Sequence, residues 1–223
     1  MTKKTISFSH QARYLTFGSL SNKTEYIWIV FHGYGQLAEY FIKKFEGLNS
    51  KYNPEQHYII APQGLSTAYL ESFTGRVGAN WMTKHDRELD IENNLHYLES
   101  LMNSELNDIA SIDTTEKKII VLGFSQGAAT ASRWIAHTKF EISEFLVWGG
   151  MIAHDIGSIF YKKMKDKITL FYGDKDEFIS EEGLKTSLMK LENLGITPNL
   201  VPYKGTHKIY TDVLKNFIEN SLR

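Results

Sequence analysis

Ser125 stands between two glycines in the run Gly123-Phe124-Ser125-Gln126-Gly127, directly after the apolar segment Ile119-Ile120-Val121-Leu122. A serine hydroxyl attacks a carbonyl when a sharp strand-to-helix turn lifts it clear of the surface and a base stands beside it. Glycines at 123 and 127 remove the β-carbons that would keep strand and helix apart, and they let Ser125 take a strained backbone conformation. The stretch from Ala128 to Ala136 is rich in small residues and compatible with a helix packed tightly on a sheet. A glycine-flanked turn of this kind needs no chemistry on its own, so the reading depends on what else the chain supplies.

A serine nucleophile needs a base, an acid to orient the base, and donors for the oxyanion. Beyond an elbow of this type the acid and then the histidine follow in chain order, each in a loop after the carboxyl end of a strand. The apolar run Ile168-Thr169-Leu170-Phe171-Tyr172 enters Gly173-Asp174-Lys175-Asp176. Asp176 is the preferred acid because Gly173 and Asp174 read as the turn itself, with Asp174 the alternative and Glu177 a third candidate. Among eight histidines, His207 combines a late position, a post-strand loop and a glycine turn in Lys204-Gly205-Thr206-His207. His137 and His154 precede the acid, and His10 and His57 precede the elbow. The oxyanion donors fall on the backbone N–H groups of Gln126, after the nucleophile, and of Tyr34, in the early loop His32-Gly33-Tyr34-Gly35-Gln36. His32 reads as a hydrogen-bonding brace of that loop.

Strands are expected near Arg13–Phe17, Tyr26–Phe31, His57–Ala61, Lys118–Leu122, Glu144–Trp148, Ile168–Tyr172 and Pro198–Pro202. Helical patterns fall near Leu37–Leu48, Asp86–Leu106, Gln126–His137, Glu181–Leu194 and His207–Ser221. Several strands are continuous apolar runs, as in sheets covered on both faces, and the alternation predicts a mostly parallel sheet of about seven strands with helices on both sides. The segment Pro62 to His85 reads as one long irregular loop and a pocket wall. Tyr69, Leu70, Phe73 and Trp81 from that loop, with Met151, Phe178 and Ile179 after later strands, are the expected lining of an apolar acyl site.

Taken together, His32-Gly33-Tyr34-Gly35, Gly123-Phe124-Ser125-Gln126-Gly127-Ala128, Gly173-Asp174-Lys175-Asp176 and Gly205-Thr206-His207 resemble the phospholipase/carboxylesterase family, which includes acyl-protein thioesterases and bacterial carboxylesterases. The resemblance runs from Tyr26 to the terminal helix. It implies an α/β-hydrolase fold, a triad of Ser125, Asp176 and His207, and cleavage of carboxylic or thioester bonds without a cofactor. Relatives include dimers, so it admits a homodimer. The chain departs from the family where Gln36 replaces a common acidic residue, where Trp81-Met82-Thr83 replaces Trp-Phe-Asp, and where Phe178-Ile179-Ser180 replaces the Val-Pro pair that follows the acid. These departures bear on specificity and leave the triad intact. A peptidase or an acyltransferase could use the same triad, and a binding protein on a decayed scaffold is the reading from another class.

Composition bounds the rest. The 223 residues fit a single domain spanning 1–223, and 42% hydrophobic residues provide a substantial core. A net charge of −1 and no basic block longer than a pair give nucleic acid no footprint. The absence of cysteine removes disulfides, thiolate catalysis and cysteine-held zinc. His-Glu-x-x-His is absent and no metal site is expected. With neither a signal-peptide pattern nor a bilayer-length apolar run, a soluble cytoplasmic enzyme acting on a small-molecule ester is the simplest expectation, with no stable membrane insertion.

Overall fold

The computed structural model describes residues 1–49, 55–106, 114 and 116–221. Its strands are β1 (Tyr14–Phe17), β2 (Tyr26–Phe31), β3 (His57–Pro62), β4 (Ser66–Tyr69), β5 (Val77–Asn80), β6 (Lys118–Phe124), β7 (Glu144–Trp148), β8 (Ile168–Gly173) and β9 (Asn199–Tyr203). The helices are α1 (Ala38–Phe41), α2 (Arg87–Leu106), α3 (Gln126–His137), α4 (Ser158–Lys163), α5 (Glu181–Asn193) and α6 (Thr211–Ser221). Among the described residues, seven strands form one sheet in the order β1-β3-β2-β6-β7-β8-β9, parallel throughout except for antiparallel β1 at one edge. This is an α/β-hydrolase-type sheet.

The continuous apolar strands have the predicted cause. All six residues of β2 and all six of β3 are buried, because successive side chains enter two cores on opposite faces. On one face Ile27, Ile29, Phe31, Val121 and Val147 pack under α2, α3 and α4. On the other, Trp28, Val30, Leu122, Leu146 and Trp148 pack under α1 and α6. Trp148 stacks on Phe171 with ring centroids 4.4 Å apart, and its indole N–H donates to the Lys208 carbonyl at 2.9 Å. Core packing thereby anchors the loop that carries His207.

Four expectations change. The segment from Pro62 to His85 holds an antiparallel hairpin of β4 and β5, with Ser66 opposite Asn80 and Tyr69 opposite Val77. The pattern over Leu37–Leu48 forms the short α1 and then two 3-10 turns, Ile42–Lys44 and Glu46–Leu48. Ile42, Phe45 and Leu48 recur every three residues and are all buried, a spacing that the three-residue turn places on one face. The terminal helix begins at Thr211, because residues before it are held in the histidine loop: Lys208 N–H donates to Thr206 O at 2.7 Å. Finally, α4 lies where no helix was expected, burying Phe160 against Phe145 at 6.1 Å.

Candidate active site

β6 ends at Phe124 and α3 starts at Gln126, so a single residue turns the chain between them. That residue, Ser125, has φ 52° and ψ −121°, in the positive-φ half of the map that non-glycine residues avoid. The strain is held by packing. A β-carbon at Gly123 would lie 2.4 Å from the Ala128 α-carbon, and one at Gly127 would lie 2.4 Å from the Phe31 carbonyl oxygen. Any larger residue at either position would open the turn.

The carboxyl ends of β8 and β9 bring the acid and the base together. The His207 Nδ1 lies 2.8 Å and 3.0 Å from the two carboxylate oxygens of Asp176. Facing an ionised carboxylate, Nδ1 carries the ring proton and donates it, which leaves Nε2 as the free acceptor. The Asp176 side chain is fully buried and His207 is 13% exposed. Phe178 N–H donates to Asp176 Oδ1 at 2.9 Å, and the rings of Phe124 and Phe178 lie 4.8 Å and 4.6 Å from the imidazole. Asp174 is placed otherwise: its Oδ1 accepts from Gly205 N–H at 2.8 Å, its own N–H donates to Tyr203 O at 3.0 Å, and it ties the acid loop to the histidine loop. Glu177 is exposed.

The elbow meets both partners. A β-carbon at Gly33 would sit 3.2 Å from that of Ser125, so the early glycine loop lies against the nucleophile. A β-carbon at Gly149 would sit 3.2 Å from both Asp176 Oδ2 and the His207 ring. The Ser125 N–H donates to Trp148 O at 3.0 Å, one residue before Gly149. Among the described residues no hydrogen bond joins Ser125 to His207; nucleophile–base contacts are often long until substrate tightens them. The amides of Tyr34 and Gln126 likewise donate to no backbone carbonyl among the described residues.

His32 is the brace expected of it. It is fully buried, its Nδ1 donates to Gly33 O at 2.8 Å, and its Nε2 accepts from Gly64 N–H at 3.0 Å. Burial pulls its pKa down to about 4, which keeps it neutral and preserves the acceptor. Gln36 Oε1 accepts from Gly33 N–H at 2.9 Å, so a neutral amide oxygen takes an acceptor position here.

The expected acyl lining divides. Met151 and Ile179 line a cavity of about 260 Å³ at the ends of β7 and β8, with Ile152, Leu170, Leu184 and Leu191. Phe178 lies against His207 instead and is 73% exposed. Tyr69 and Phe73 are exposed on the hairpin, and Leu70 approaches Gly35; none of the three borders the cavity. Trp81 is corrected outright: at 1% exposure it is core, stacked on His32 at 4.8 Å with its indole N–H on His32 O at 2.9 Å. An aromatic in a loop reveals its size but not its direction.

Sequence reasoning missed an ion-pair bracket behind the cavity. Buried Arg133 of α3 donates to Asp155 through Nε and Nη2, each at 2.9 Å, and Arg87 at the start of α2 pairs with the same carboxylate. Burial would raise the Asp155 pKa, but the hydrogen bonds from Arg133 and Arg87 outweigh it and hold it at about 2. The loop from Gly149 to Gly157 is fixed this way. No spacing in the sequence links these three residues.

The sequence matches the family described as Phospholipase/Carboxylesterase over residues 18–222. No curated protein matches it at a significant level. Solved structures with a similar fold include the acyl-protein thioesterase 2 of Zea mays, at 16% identity and TM-score 0.68, covering 94% of this chain and 97% of that one. The esterase PE8 shares 20% identity at TM-score 0.63, covering 94% and 99%. The carboxylesterase of Bacillus cereus shares 11% at TM-score 0.64, covering 93% and 92%.

Proposed function

From the chain's membership of the phospholipase/carboxylesterase family of α/β-hydrolases, we propose that it is a serine esterase that cleaves carboxylic esters, and thioesters with them, through a Ser125–His207–Asp176 triad. The observation that carries this reading is the Asp176–His207 pair beside the strained Ser125 elbow. His207 Nε2 takes the hydroxyl proton of Ser125 as Oγ bonds to the acyl carbon. The carbonyl oxygen becomes an oxyanion that accepts from the Tyr34 and Gln126 amides. Collapse of this intermediate breaks the bond to the leaving oxygen or sulfur, which receives the proton from His207. Water then repeats the sequence on the acyl-enzyme, releasing the acid and restoring Ser125. Asp176 keeps the imidazole in the Nδ1–H tautomer and stabilises it while charged.

The acyl group is apolar in this reading. The cavity between the ends of β7 and β8 and helix α5 adjoins Gly150, which packs on the Ser125 carbonyl, and its walls are mostly apolar, with His154, Ser187 and Lys190 as polar members. Reaction with a fluorophosphonate probe and turnover of a p-nitrophenyl ester series test the assignment. Wild type should label and hydrolyse, and Ser125→Ala should do neither. Labelling or turnover retained in the alanine variant would exclude Ser125 as nucleophile.

A further inference from the structure

The two proposed oxyanion donors sit on segments far apart in sequence, Tyr34 in the loop after β2 and Gln126 at the start of α3. Main-chain donors stabilise an oxyanion only when their separation matches the tetrahedral intermediate; the two segments meet directly where Phe31 pairs with Gly123 and where Gly33 lies against Ser125. A third segment touches both. Gly35 N–H donates to Ala79 O at 2.8 Å and Ala79 N–H donates to Gln36 O at 3.1 Å, so β5 pairs with the Tyr34 loop on one side. Two residues further on, Trp81 N–H donates to Gln126 Oε1 at 3.0 Å and Gln126 Nε2 donates to Met82 O at 2.9 Å. The side-chain amide of Gln126 thus pairs reciprocally with the backbone, as a neighbouring strand would. Between the two ends, Trp81 is pinned by its indole bond to His32 O and by Asn94 Nδ2 on its carbonyl oxygen at 2.7 Å.

We infer that the segment from Gly78 to Met82 is the spacer of the oxyanion hole, and that the side chain of Gln126 is the positioning residue through which it holds the elbow. This rests on the serine-esterase reading above. The backbone N–H of Gln126 is the donor; its side chain acts through the spacer and touches no substrate. At the other end Gly78 lies so close to the Tyr34 loop that a β-carbon there would be 2.6 Å from Gly35 O and 2.8 Å from the Gly35 α-carbon. The two ends can therefore be disturbed separately.

Gln126→Met keeps length and helix compatibility but removes both hydrogen bonds, and Gly78→Ala pushes on the Tyr34 loop with Gln126 intact. Each variant should lower kcat on p-nitrophenyl esters by about 10- to 100-fold with KM within about twofold of wild type. The inhibition constant of phenylboronic acid, whose serine adduct is tetrahedral, should rise by the same factor as kcat/KM falls. Circular dichroism and the thermal midpoint check that each variant is folded. A folded Gln126→Met protein with wild-type kcat and boronate affinity overturns the inference, as does a loss of kcat with unchanged boronate affinity. Wild-type protein that neither hydrolyses the esters nor takes up the boronic acid overturns the esterase reading and this inference with it.

Discussion

Two aspartates two positions apart have separate partners, and substitution should separate their roles. In Asp176→Asn the amide oxygen is held by the Phe178 N–H and the amide NH2 faces His207 Nδ1, which favours the wrong tautomer and leaves the imidazolium without a counter-charge, so kcat should fall by about 10⁴-fold. Asp174→Asn keeps an oxygen for the Gly205 amide and should cost less than about tenfold, whereas Asp174→Ala leaves that amide without its acceptor and should cost more. Steady-state kinetics on one p-nitrophenyl ester decide it, and a larger loss in Asp174→Asn than in Asp176→Asn would exchange the assignments. The Asp176–His207 contact and the turn at Ser125 were legible because each residue lies in a short loop with a local signature of strand, glycine and polar residue. Trp81 was not, because nothing local says that its indole N–H turns inward to His32 O. The bonds made by the Gln126 side chain were hidden for the same reason, since its partners lie 44 and 45 positions away.

Among elements, the sheet and its flanking helices followed from apolar periodicity, while short pieces built from exposed residues did not. Strand β4 is mostly exposed, so the hairpin shows no hydrophobic alternation to find. The cavity beside β7 and β8 shows the same limit: helix α5 was expected, but not that Leu184 and Leu191 would line it together with Met151 and Ile179. Its filling is directly testable. Leu184→Trp should lower kcat/KM for p-nitrophenyl decanoate at least about tenfold more than for the acetate, since only the longer chain needs the cavity. A uniform change across the series would place the acyl group elsewhere.

At the scale of the molecule, two histidines make folding sensitive to acid. His32, at the carboxyl end of β2, and His57, at the start of β3, are both buried, and burial lowers each pKa from 6.5 to about 4. The unfolded chain therefore takes up these protons below pH 6.5 while the folded chain resists until about pH 4. Stability should fall across that window, by roughly 3 kcal/mol per histidine once it is crossed. Asp155 adds a further loss below the ordinary carboxylate range. Urea midpoints at pH 7.5, 5.5 and 4.5 measure the effect, and an unchanged midpoint would contradict it. The far edge of the sheet limits what the molecule can join. Strand β9 ends the strand order, and Pro202 within it has no N–H to offer. An incoming strand would find the hydrogen-bond ladder interrupted at that position, so this border protects the fold against edge-to-edge aggregation. A second copy of the chain meeting this border would have to dock through side chains on a face instead of extending the sheet beyond β9.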